Sequence, residues 1–290
     1  MLFNFHFFPF PELVTETLLL RESTEEDRQI RWYDLTDGWY WIDVGKTHLF
    51  RYTTQAAEQI RSSRFAHGLY VDYYVARLWT DVLDLLPAIL EPLPIPLIQR
   101  LSSLSDWNNW INARDTWNTA RPEATDEKRI EEETELYRTA ADWWYERALD
   151  TGYLISRPLI WFWSDGVRIH IGWDNRDCLL NGVPIWEAQI GQISLPIADF
   201  LADVTAFNHQ FITTMAKRVA AAQDYWTDPH FAQDLVSLQQ GHIQQATLLE
   251  KTFYEVRHKI PTDWTSVLSS IASIEKDSQF MRILKGKGME

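Results

Sequence analysis

The chain has 290 residues, 46% of them apolar and 15 of them tryptophan, with 27 Lys+Arg against 41 Asp+Glu and a net charge of −14. That length holds one large domain or two modest ones, and so many indoles call for an ordered core or a partner surface rather than disorder. A negative field of this size repels phosphate backbones, which disfavours nucleic acid as a partner and favours basic ones.

The single cysteine, Cys178, leaves no internal disulfide and no zinc cluster built from cysteines, and it fits a reducing cytoplasm. No apolar run approaches the ~18 residues of a membrane span. Met1 to Phe10 is apolar but lacks a basic n-region and a small-residue cleavage site. It alternates instead, with Phe3, Phe5 and Phe7 on one face, and reads as a first strand ended by Pro9 and Pro11 rather than as a signal peptide.

After the charged loop Arg21–Arg28, the stretch Leu35–Tyr52 (LTDGWYWIDVGKTHLFRY) carries the strongest strand signal in the chain. Trp39, Trp41 and Asp43 alternate with Tyr40, Ile42 and Val44, and Gly45-Lys46 separates this run from His48–Tyr52, which predicts an antiparallel hairpin. Aromatics on both faces ask for cover on both, with Trp39 or Trp41 nearly fully buried. Arg61, Arg64 and His67 then form a basic island in an acidic protein, able to receive a phosphate or carboxylate or to pair with the chain's own acids.

A helix is predicted over about Tyr70–Leu90, with Val71, Tyr74, Val75, Leu78, Trp79, Val82, Leu85, Leu86 and Ile89 on one stripe and Asp72 at its positive end. Pro92, Pro94 and Pro96 end it, and helical spacing resumes through Leu97, Leu101, Leu104 and Ile111 beside Trp110 and Trp117. The run Arg121–Glu135 is strongly acidic. It reads as a solvated helix start or as a steering surface for a basic partner, with Glu131, Glu132 and Glu135 its candidate contacts. A helix through Tyr137, Ala140, Ala141 and Trp144 follows and stops at Gly152.

Leu159–Trp163 and Val167–Trp173 flank Ser164-Asp165-Gly166 and predict a second hairpin. Asn181-Gly182 is a turn, and Val183–Ile193 reads as strand. Long helices are expected over Pro196–Tyr225 and Pro229–Lys259, the second with Gly241 as a break, then a short last helix capped by Thr262 or Asp263. The fold class is therefore α+β: two antiparallel hairpin sheets covered by amphipathic helices. They form one unit over residues 1–290, with 1–152 and 153–290 as its natural halves. Thr36-Asp37-Gly38 aligns with Ser164-Asp165-Gly166, as an internal repeat would; two unrelated hairpins with common Asp-Gly turns would look the same.

The segments LTDGWYWIDVG…LFRY, YVDYYVARLWTDVLDLLP, GYLISRPLIWFWSDGVRIHIGWDNRD, NGVPIWEAQIG and MAKRVAA, in this order, resemble an uncharacterised bacterial family known only as a domain of unknown function. The match runs from about Leu35 to Ala222. The resemblance implies a bacterial cytoplasmic protein and brings no activity, cofactor or catalytic residue with it.

Motifs that carry chemistry are correspondingly few. There is no HExxH, no CxxC and no Gly-rich phosphate loop, so no metal or cofactor is assigned. Asp174-Asn175-Arg176-Asp177 lacks the glycine and distal glutamate of a calcium loop and reads as a polar turn. Cys178 before Leu179-Leu180 reads as a small buried hydrophobe. His170 and His242 lie in apolar patterns, where histidines are usually half-buried and hydrogen-bonded. Asp37 and Asp165 are the two carboxylates that acid–base chemistry could use, if their hairpins stood side by side; as turn caps they need no such role. The leading expectation is a non-catalytic protein that binds a basic partner, an immunity or inhibitor protein being one form. The alternatives are a small-molecule enzyme working near Asp37 and Asp165, and a scaffold subunit. A concave site with convergent polar groups would separate the enzyme from the flat-faced partner protein.

Overall fold

The computed structural model describes residues 1–13, 31–60, 69–102, 104–120, 126–227 and 231–286. The charged loop Arg21–Arg28 and the basic island Arg61, Arg64 and His67 lie outside the described residues.

The first sheet is built on β2 (Asp37–Val44). Strand β1 (Phe3–Phe7) runs antiparallel along one edge, with Phe5 opposite Tyr40. The other edge is shared: β3 (Thr47–Leu49) returns through Gly45-Lys46 to pair with Ile42–Val44, and β4 (Val71–Tyr74) pairs with Asp37–Tyr40. Gly45 takes φ +74°, a conformation that favours glycine. The inward face of β2 is Tyr40, Ile42 and Val44, all buried, whereas Trp39 and Trp41 are only half-buried. The expected burial of a tryptophan is corrected accordingly. Neighbouring rings cover these indoles instead of a core layer: His6 stacks on Trp39 and Tyr70 on Trp41, at 5.4 and 4.6 Å between ring centroids.

Helix α1 (Thr54–Ile60) follows β3, and α2 (Val75–Ile89) follows β4 directly. Helical spacing had suggested a start near Tyr70. The β-branched and aromatic run Val71–Tyr74 takes the open edge of β2 instead, so Asp72 belongs to a strand. Across the inward face lies α6 (Ile197–Tyr225), whose Phe200, Val204, Phe207, Phe211 and Met215 form the stripe its spacing predicts. Phe3 stacks on Phe207 at 5.5 Å, and Trp79 of α2 stacks on Phe211 at 4.8 Å. Arg218, also buried on α6, lies over the Phe7 ring and donates to the backbone oxygens of Phe8 and Leu35. It thereby ties the end of β1 to the entry of β2.

The second sheet has the order β5-β6-β9, from Ile160–Ser164, Arg168–Asp174 and Ile190–Pro196. A small hairpin, β7 (Leu179–Leu180) and β8 (Val183–Pro184), turns at Asn181-Gly182, both at positive φ. Strand β5 is buried on both faces. Ile160 and Phe162 join the core shared with the first sheet, while Trp161 and Trp163 join a second core. Helices α3 (Ile95–Ser102), α4 (Leu104–Ala120), α5 (Glu127–Tyr145) and α9 (Trp264–Gly286) enclose that second core. There Trp107 and Trp144 approach to 3.9 Å between ring centroids, with Trp161 5.1 Å from Trp144.

The expected helix over Pro229–Lys259 is two, α7 (Ala232–Ala246) and α8 (Leu248–His258), broken at Thr247 rather than at Gly241. The Thr247 amide and hydroxyl both donate to Gln244 O, tightening the last turn of α7. Helix α9 is long rather than short, and Asp263 caps it by accepting from the amides of Thr265 and Ser266.

The two Asp-Gly pairs are not equivalent. Asp37-Gly38 enters β2 from a 3₁₀ turn over Tyr33–Thr36, whereas Asp165-Gly166 is the turn between β5 and β6. A Cβ on Gly38 would lie 2.3 Å from His6 O, so the glycine there serves close strand approach.

Candidate functional site

The strongest candidate is a cleft of about 720 Å³ between α2, α8 and the end of α5. One stripe of α2 supplies Arg77, Asp81, Asp84, Leu85 and Ala88. Residues at i, i+4, i+7, i+8 and i+11 share a helix face. From the end of α5 and the segment after it come Tyr145, Glu146, Ala148 and Asp150, and from α8 come Tyr254, Glu255 and His258, with Lys259 just beyond.

Asp81 is the central group, with its side chain 8% exposed. Arg77 Nε lies 3.2 Å from Asp81 Oδ1 but makes no hydrogen bond, and Tyr153 Oη donates to Oδ2 at 3.4 Å. Burial pushes the Asp81 carboxyl up to about 7; Arg77 opposes the rise, and Asp150 and Asp84 add to it. The Arg77 guanidinium also pairs with Asp150 and sits 5.1 Å over the Tyr153 ring. Burial works against its charge, but Asp81 and Asp150 outweigh that and hold it up. Behind Tyr153, the hydroxyl of fully buried Tyr40 lies 3.2 Å from Tyr153 Oη, which links the cleft to the first sheet.

Lys259 is held by Glu91, which also accepts from the Thr262 amide and hydroxyl. Arg147, 1% exposed, lies 3.8 Å from the same carboxylate and donates to Trp143 O. Burial opposes the Glu91 charge, but the bonds from Lys259 and Thr262 hold its carboxyl below the usual range. Asp84 is raised by burial; Arg77 offsets this in part, and Glu255 on the facing wall adds to it.

The residues singled out from sequence lie elsewhere. Asp37 heads β2 near Arg218, whose charge it favours, and near Tyr74, pushed up to about 12 by burial and then by Asp37. Asp165 accepts from the amides of Val167 and Arg168 at 2.8 and 2.7 Å and lies 2.9 Å from His170 Nε2. Burial opposes its charge, but these bonds, His170's first, bring its carboxyl down to about 2. Asp37 and Asp165 thus stand in different sheets, and neither lines the cleft. His170 also stacks on Trp163, and His242, half-buried, keeps an Nδ1 without a partner.

Cys178 is buried, its thiol raised first by burial and then by Asp177. The Asp174–Asp177 turn is structural: Asn175 accepts from the Leu159 amide and donates to Ala188 O. Among the described residues, no three His, Cys, Asp or Glu side chains come together to hold a metal ion. No helix there is long and apolar enough to cross a membrane.

Glu131, Glu132 and Glu135 are exposed on α5, where Glu131 and Glu135 line a groove of about 330 Å³ with Ile130 and Arg138. Part of this charge is met locally: Lys128 pairs with Glu132, Arg129 with Glu133 and Arg138 with Glu135.

The charged residues of the cleft belong to no motif in the sequence. The available signal was Asp81 four residues after Arg77, interrupting the apolar stripe of Leu78, Val82 and Leu85. Charged pairs at that spacing are common on solvated helix faces, so burial, not spacing, marks this one.

The fold and site define an α+β protein with an acidic cleft between helices. Over residues 2–270 the chain matches a family of unknown function (DUF5984), and it belongs to that family. No curated protein and no solved structure matches it.

Proposed function

We propose that this is a non-catalytic binding protein that receives a basic group of its ligand in the cleft between α2 and α8. The observation that carries the reading is the balance of the lining: five carboxylates, Asp81, Asp84, Glu146, Asp150 and Glu255, against Arg77 and Lys259, both already ion-paired. Concave sites with convergent charge favour one sign of ligand, and here the sign is positive. The α5 acids Glu131, Glu132 and Glu135 would act as a steering surface beside it. A basic protein in a bacterial cytoplasm, with this chain as its immunity or inhibitor partner, is the form of the reading we favour over a scaffold role. Amide hydrogen exchange with and without a lysine-rich peptide tests it. Protection along α2 and α8 is expected; protection on α5 alone would move the site there, and none anywhere would overturn the proposal.

A second reading has its own observation. A buried carboxyl titrating near 7 in a cleft is the kind of group that serves as a general acid or base. An enzyme acting on a small molecule would use Asp81 rather than Asp37 or Asp165. Turnover of a basic substrate that Asp81→Asn abolishes, with binding retained, would favour this reading over the first.

A further inference from the structure

Three carboxylates of the cleft, Asp84 on α2, Glu255 on α8 and Glu146 at the end of α5, make no ion pair among the described residues. They come from three elements, and Asp84 and Glu255 face each other as like charges. A fourth acceptor lies deeper. Asp81, on a side chain 8% exposed, is already partnered by Arg77 at 3.2 Å and by the Tyr153 hydroxyl at 3.4 Å.

The acids are also spread out. Since no three of them cluster tightly enough for a metal ion, a compact cation would satisfy only some of them. A ligand whose positive centres are separated by several bonds would reach more. Between the acids the lining is apolar, with Leu85, Pro87, Ala88 and Ala148, and Tyr145 and Tyr254 stand exposed at the rim. Methylene chains pack on such carbons, and ring faces attract ammonium groups. The cleft volume suits a ligand of small-molecule size.

Resting on the reading of the cleft as a site for basic ligands, we propose that its ligand is an aliphatic oligoamine: two or more ammonium groups on a flexible chain, one held between Asp84 and Glu255 and another toward Glu146 or Asp81. The same chemistry is available as a free polyamine or as neighbouring lysines of a protein segment.

Calorimetric titration of the full chain with spermidine, tetralysine and n-butylamine, at matched ionic strength, separates the outcomes. Spermidine or tetralysine should bind about five- to tenfold more tightly than n-butylamine, as a second partly enclosed ion pair allows. Whichever of the two binds more tightly identifies the free or the protein-borne source. Asp84→Asn and Glu255→Gln, both at exposed positions where folding is little at risk, should remove most of that advantage. Asp199→Asn, exposed in the first turn of α6 and outside the cleft lining, should leave all three affinities as they are. Equal affinity for all three probes would overturn the oligoamine and leave the basic-ligand reading standing. Binding of none would overturn both.

Discussion

Ionising Asp81 places a charge on a side chain that is 8% exposed, with Asp84 and Asp150 nearby and Arg77 as the counter-charge. Its carboxyl titrates at about 7 in the folded protein and near 4 when unfolded, so the folded state holds the extra proton between those values. Stability contributed by that proton is fully present below pH ~4 and lost as pH rises to about 7. Asp81→Asn should therefore gain on the native protein across that window by up to about 4 kcal/mol, and Arg77 keeps Asp150 as a partner. Urea melts of both proteins at several pH values check it; a difference that does not change with pH would mean another group titrates. Gly38 gives a second test at this scale. Its missing Cβ lets His6 O approach to 2.3 Å of where one would stand, so Gly38→Ala should cost about 1–3 kcal/mol through forced separation of β1 and β2. A thermal melt within a degree of the native protein would show that the strands yield freely.

Among the elements, the β5–β6 turn shows what an Asp-Gly signal meant here. Asp165 is a turn cap that also reaches His170, and Gly166 takes φ +92°. Asp165→Ala should cost about 1–2 kcal/mol near neutral pH, as hydrogen bonds to a charged acceptor do. Its carboxyl lies at about 2 when folded, so this contribution is present above pH ~4 and fades as pH falls toward 2. Denaturation at pH 7, about three units above the unfolded value, and at pH 2.5, between the folded and unfolded values, would reveal it, and an equal cost at both would assign the loss to packing. The same turn marks the limit of sequence reading. Alternation and turn residues located both hairpins, and 3.6-residue spacing located α6, because those patterns are local. They could not tell that Val71–Tyr74 would find a strand edge made more than 30 residues earlier, nor that Asp81 would be buried beside Tyr153. Asp37 and Asp165 stood out because they repeat a dipeptide, whereas Asp81 stands out only through neighbours distant in the chain.

For the molecule as a whole, the proposed binding function would divide between rate and lifetime across the two charged regions. Replacing Glu131, Glu132 and Glu135 together by Gln should lower the association rate with a basic protein several-fold, flatten its salt dependence and leave dissociation nearly unchanged. Asp84→Asn with Glu255→Gln should instead speed dissociation, since the proposed site sets these groups against the ligand. Stopped-flow kinetics at two salt concentrations distinguishes them; an association rate indifferent to salt and to the three α5 changes would reduce that run to a solvated helix face. The tryptophans add a practical consequence. Trp107, Trp144 and Trp161 crowd within 3.9 to 6.4 Å of one another in the second core, while the cleft is lined by two tyrosines and no tryptophan. The protein's ultraviolet emission and its exciton-coupled dichroism will therefore be dominated by the indoles, with the second core a large contributor. A ligand entering the cleft should be nearly dark in those channels, and a screen that watches indole fluorescence would pass over the molecule it was looking for.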